Sequence, residues 1–144
     1  MLRLLRLVVD ANVLVSAFLK DSLTRRILLD ERLNLITPEH GFIETRRVLQ
    51  RPKMLKRIGL EPAVFEELWA FLTSRIQTFP ETDYQKSLGE SIHLAVHPED
   101  APYIALAIKF QCPIWTNDPD FQIHAVKKSL QIYKTHELRE KLQL

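Results

Sequence analysis

Short runs rich in Leu, Ile and Val ("LLRLVV", "LNLIT", "IQTF", "CPIWT" and "LQIYK") recur along this chain, and stretches with apolar residues at helical spacing separate them. The helical stretches are the segments from Leu23 to Arg32, from Gly41 to Gln50 and from Ala63 to Arg75, then "APYIALAIKFQ" and a segment following Asp118. A strand open to water on one face alternates apolar with polar residues. Continuous apolar runs must be covered on both faces, and helices between strands are the connections that parallel pairing needs. The expected fold is therefore α/β, a three-layer α/β/α sandwich around a mainly parallel sheet. With 144 residues the chain can bury roughly two-thirds of its unfolded surface, so residues 1–144 are expected to form a single domain.

Local chemistry places several element ends. The helix containing "FIETRRVLQ" should stop before Pro52, and the one containing "FEELWAFL" should follow Pro62, whose missing N–H costs nothing in a first helical turn. Thr135 is a candidate cap for the last helix, with Glu137 well placed in its first turn.

Composition excludes several classes. A 46% hydrophobic and 26% charged chain with 3 Gly is globular rather than disordered, and no repeat or low-complexity tract is present. Cys112 is the single cysteine, which rules out an intrachain disulfide and a cysteine-based zinc site; it reads as a small buried hydrophobe. "MLRLLRLVV" is broken by Arg3 and Arg6 and lacks the form of a signal peptide, so a soluble, cytoplasmic protein without membrane contact is expected. A net charge of +2 marks no nucleic-acid binder by itself; any basic surface must be local.

The sharpest feature is Asp10, an acid between two apolar runs in "LRLVVDANVLVSAFL". The architecture puts it at the C-terminal end of the first strand, the edge of a parallel sheet where ligands bind. Glu44 in the helix after the second strand, Asp100 at the start of "DAPYIALAIKF" and Asp118 in "WTNDPDF" occupy comparable points, and right-handed crossovers gather such points on one edge. Clustered carboxylates repel one another unless a cation compensates. Oxygen-only donors suit Mg²⁺ or Mn²⁺, which can supply a water nucleophile against a phosphodiester and stabilise the leaving oxygen.

Each acid also has a plainer reading. Asp100 is a good N-cap two residues before Pro102, Glu44 a solvated helix residue, and Asp118 with Asp120 an ordinary turn. Asp10 resists such a reading, because an acid ending a buried apolar strand is seldom structural.

The segments "VVDANVLVSAF", "FIETRRVL", "HPEDAPYIALA" and "WTNDPDF", in this order across most of the chain, resemble the four acidic blocks of the PIN-domain family of metal-dependent ribonucleases. The resemblance implies that Asp10, Glu44, Asp100 and Asp118 are catalytic, metal-binding carboxylates for Mg²⁺ or Mn²⁺. It implies that Asn12 supports the site, that Thr116 orients the first aspartate, and that Asp120 assists from outside the metal's own ligands. Ala11 departs from the Thr or Ser often found after that aspartate, a position that does not ligate metal. Within the family the chain looks most like the small prokaryotic toxin components (VapC-like) of toxin–antitoxin pairs. These are usually dimeric, and they cut RNA to leave 3′-hydroxyl and 5′-phosphate ends. A protein antitoxin and a homodimer are thus implied partners beside the RNA substrate.

"TRRVLQRPKMLKR" follows Glu44 directly, and its Arg46, Arg47 and Arg51 are candidate phosphate contacts, with a solvated helix face as the alternative. Tyr103 and Trp115 read as core residues rather than stacking platforms. His93 and His97 are four apart, yet Pro98 disfavours helical geometry at His97 and no third strong zinc ligand is near. His40, His124 and His136 read as isolated surface or capping residues. Two rival functions remain open: a non-catalytic RNA-binding or regulatory module, and an aspartate-based phosphohydrolase. The latter commonly needs an acid where this chain has Asn12.

Overall fold

The computed structural model describes residues 4–19 and 21–144, with the side chains of His124 and Ala125 left aside; the readings of Arg3 and His124 fall outside it. In chain order the elements are β1 (Leu5–Val9), α1 (Ala11–Phe18), α2 (Ser22–Leu28), β2 (Leu33–Pro38), α3 (Glu39–Leu49), α4 (Pro52–Ile58) and α5 (Pro62–Leu72). There follow β3 (Ile76–Phe79), α6 (Glu81–Tyr84), α7 (Leu88–Leu94), α8 (Ala101–Phe110), β4 (Ile114–Trp115), α9 (His124–Ser129), β5 (Ile132–Tyr133) and α10 (Thr135–Leu142). The strands form one sheet in the order β3-β2-β1-β4-β5, with every neighbouring pair parallel.

Both faces of this sheet are covered, as the continuous apolar runs require. Leu7, Val9, Leu33 and Leu35 point into a core with Phe18, Phe65 and Trp69, while Val8, Ile36 and Ile114 point into a second core with Ile104 and Leu106. The alternation along β1 is the two-residue period of a pleated strand carrying an apolar residue on each side. In the first core the Phe18 ring lies 5.2 Å from Phe65 and 5.7 Å from Trp69, which locks α1 against α5. No helix among the described residues is long and apolar enough to cross a membrane.

Several element ends differ from expectation, each for a local reason. The helix expected over Leu23–Arg32 is Ser22–Leu28: Asp21 caps it by accepting from the Thr24 N–H at 3.0 Å, and Asp30 stops it by accepting from Arg32. The helix expected to reach Arg75 ends at Leu72, where Thr73 and Ser74 donate their hydroxyls back to the Trp69 and Phe71 carbonyls. Pro52 lies beyond the end of α3 as anticipated, and it also opens α4, a helix closed by Gly59 at φ +79°. Thr135 is not the cap of α10 but its first residue. The Glu137 carboxylate accepts from the Lys134 N–H, and the Thr135 hydroxyl accepts from Trp115 Nε1 and Asn117 Nδ2.

The order of strands positions the site. From β1 the chain winds outward to β2 and β3, then crosses back to β4 and β5, so the crossovers diverge between β1 and β4. That divergence opens a crevice at the C-terminal strand ends. Asp10 follows β1 there, and Thr116 to Asp118 follow β4.

Candidate active site

Asp10 is built into the fold. It is only 4% exposed, its backbone N–H continues the ladder to the Trp115 carbonyl at 3.1 Å, and both carboxylate oxygens are bonded. One accepts from the Ala11 N–H at 2.9 Å, capping α1; the other accepts from the Thr116 hydroxyl at 2.7 Å. The Thr116 oxygen in turn accepts from the Asp118 N–H at 3.0 Å, and the Asn12 amide lies 3.4 Å from it. Asn117 fixes this loop by bonding both the N–H and the hydroxyl of Thr135.

Burial pushes the Asp10 carboxyl up to about 6; the Thr116 and Ala11 bonds act against this, and the Asp118 charge adds to it. Asp100 is also pushed up to about 6, by burial and then by the charges of Asp10 and Asp118, with His97 opposing. Elevation by neighbouring carboxylates in this way marks groups that share a site.

One oxygen from each of Asp100, Asp118 and Asp120 lies within 4.8 Å of the others, the spacing of a shared cation. Asp100 occupies the N-cap position of α8 yet makes no side-chain capping bond, so the plain capping reading fails. Asp118 does turn the chain, accepting from the Asp120 N–H at 2.9 Å, and this turn carries Asp120 into the group. Asp120 thereby brings an oxygen within 4.8 Å of both Asp100 and Asp118. Hard oxygen donors without nitrogen or sulfur fit Mg²⁺ or Mn²⁺.

Asp10 stands beside this group, joined to it by charge and by the Thr116 bridge. It also forms part of the floor of a cleft of about 520 Å³ between α1, α3 and α8. Ala11, Val15, Val48 and Pro102 give the cleft apolar walls, and Asp100 and Glu44 line it as well. Glu44 is thus across the cleft rather than within the three-carboxylate group, and it is ion-paired with Arg47. Arg46 is ion-paired with Glu66 of α5, so two of the three candidate phosphate contacts already have carboxylate partners.

Tyr103 and Trp115 are buried core residues, as read. Tyr103 also walls the cleft, beside Thr45, whose hydroxyl donates to the Gly41 carbonyl at 2.7 Å. Burial and the nearby Asp10 and Asp100 charges push the Tyr103 phenol well above its ordinary range, so it stays protonated. Gly41 is required for this approach, since a Cβ there would lie 2.2 Å from the Tyr103 oxygen.

His97 is the site residue that sequence reasoning missed. Its backbone is extended, as Pro98 dictates, but its Nε2 lies 3.1 Å from Asp120 Oδ2. The partners sit in separate loops, and nothing local to either one signals the contact.

A parallel α/β/α sandwich with carboxylates gathered at its switch edge is a fold class suited to a hard cation and an anionic ligand. The chain belongs to the PIN domain family, whose sequence profile matches residues 8–143. Among solved structures it is similar to PAE2754 from Pyrobaculum aerophilum, at 15% identity and a TM-score of 0.62, covering 97% of this chain and 90% of that one. It is likewise similar to VapBC2 from Rickettsia felis bound to a promoter DNA fragment, at 15% identity and a TM-score of 0.60, covering 90% of this chain and 98% of that one. No curated protein matches the sequence.

Proposed function

We propose that residues 1–144 act as a single Mg²⁺- or Mn²⁺-dependent endoribonuclease domain, the toxin of a toxin–antitoxin pair. The observation that carries this reading is the buried Asp10, tied to the Asp118 loop through Thr116 and bordering both the three-carboxylate group and the cleft. Asp100, Asp118 and Asp120 would hold the cation, with Asp10 and Glu44 as further carboxylates lining the adjoining cleft. When bound, the ion supplies a water nucleophile at neutral pH and charge stabilisation for the leaving 3′ oxygen.

The protein's own groups do the rest. Asp10 and Asp100, raised by burial first and then by neighbouring carboxylate charge, are the groups placed to accept a proton near neutrality. The apolar cleft walls seat the nucleotide next to the scissile phosphate and exclude bulk water. Arg46, Arg47 and Arg51 follow Glu44 closely along the chain, and the exposed pairs of Arg46 and Arg47 are worth little, so phosphates can draw those guanidinium groups away from Glu66 and Glu44.

Membership of the PIN family and the likeness to VapBC2 support the toxin reading, with a protein antitoxin, a homodimer and a cytoplasmic setting as its corollaries. The test is cleavage of single-stranded RNA by the purified chain in Mg²⁺ or Mn²⁺ and in chelator. The expected result is metal-dependent cutting that leaves 5′-phosphate ends. Metal-dependent RNA binding without cutting would favour a non-catalytic module, and a covalent phosphoryl-aspartate at Asp10 would favour a phosphohydrolase.

A further inference from the structure

We propose that His97 is a positioning residue that clamps Asp120 into the cation group; this rests on the reading of Asp100, Asp118 and Asp120 as cation ligands. The group is assembled from two loops, residues 97–100 and 116–120, and His97 touches both. Its carbonyl accepts from the Asp100 N–H at 3.0 Å, closing the short 3-10 turn Pro98–Asp100 that presents Asp100. Its imidazole Nε2 lies 3.1 Å from Asp120 Oδ2, in contact across the two loops.

The need for such a clamp follows from the charges. Asp118 is tethered by the Asp120 N–H it accepts, and Asp100 by its place between the helical turns. The Asp120 side chain is 37% exposed and faces two like charges, so water and repulsion both favour its rotation outward. Pro98 helps by fixing the extended backbone of His97, which aims the ring across to the second loop rather than along α7.

The closing experiment measures Mn²⁺ affinity by electron paramagnetic resonance of free Mn²⁺ for wild type, His97→Ala, His97→Gln and Asp118→Asn, with each variant's melting temperature in chelator. His97→Ala should bind Mn²⁺ roughly tenfold more weakly, as loss of a partner that orients a ligand does, while His97→Gln, which keeps a donor near the Nε2 position, should stay within about threefold of wild type. Melting in chelator should not move, because the imidazole clamp is solvent-exposed. Wild-type affinity in His97→Ala, equal losses in both His97 variants, or a lower melting temperature in chelator would overturn the clamp. Absence of any Mn²⁺ affinity sensitive to Asp118→Asn would instead remove the cation reading itself, and the clamp with it.

Discussion

Replacing Asp10 with Asn should stabilise the metal-free protein. A carboxyl raised from 3.8 to about 6 makes the folded state bind its proton more tightly than the unfolded state does. Native stability is therefore lowered at any pH above 6, and the penalty fades as pH falls toward 3.8. At about 1.36 kcal/mol per pH unit, the penalty is about 3 kcal/mol at pH 7.5 and under about 1 kcal/mol at pH 4.

Asn removes the charge but must satisfy the same two donors with one oxygen. Its oxygen can keep the Ala11 N–H, and its NH₂ then faces the Thr116 hydroxyl. Thr116 can accept that bond beside the one from the Asp118 N–H and turn its own proton to Asn12, 3.4 Å away. Allowing for imperfect geometry, a net gain of about 1–2 kcal/mol at pH 7.5 is expected. Loss of the Asp10 charge also relieves Asp100, in the same direction. Urea unfolding in chelator at pH 7.5 and pH 4 measures it: the gain should be present at the first and largely gone at the second. A destabilised Asp10→Asn at pH 7.5, or an equal gain at both pH values, would refute the argument from burial.

Other perturbations probe separate parts of the account. Saturating Mn²⁺ at a hundred times its dissociation constant should stabilise wild type by about 2.7 kcal/mol and leave Asp118→Asn unmoved, read as a thermal shift. Gly41→Ala should cost about 1–3 kcal/mol in chemical denaturation, because the new Cβ displaces the buried Tyr103 hydroxyl. Converting Arg46, Arg47 and Arg51 together to Gln, in an Asp10→Asn background, should weaken RNA binding across unrelated sequences and flatten its salt dependence in fluorescence anisotropy; an unchanged slope would return these residues to a solvated face.

The parallel sheet was legible because its strands are short runs rich in Leu, Ile and Val separated by helical stretches; "IQTF" coincides with β3, residue for residue. Helix α1 was hidden by the same chemistry. "ANVLVSAF" has no polar stripe, since Val13, Leu14, Ala17 and Phe18 are all buried, and its two valines are β-branched residues that favour strands. Helices α6 and α7 failed for the opposite reason: "ETDYQKSLGESIHL" is polar with a glycine in it, and only Tyr84 and Ser91 are buried within the two helices. At the site, Asp10, Asp100 and Asp118 could be placed because each sits where a strand end or helix start must come to the sheet edge. Glu44 projects from within α3, where rotation about the helix axis decides what it faces, and it faces the cleft and Arg47. The closeness of Asp120 and the reach of His97 depend on the packing of two loops, which no local pattern encodes.

The central claim is that the carboxylates at the β1–β4 edge cut RNA with a divalent cation. Its most direct test is single-turnover cleavage of a single-stranded RNA at saturating Mn²⁺ by wild type and by folded Asp10→Asn. The account predicts cleavage by wild type that is abolished by chelator and lost in Asp10→Asn, although that variant is the more stable protein in chelator. Cleavage by Asp10→Asn at the wild-type rate, or cleavage by wild type that persists in chelator, would contradict it.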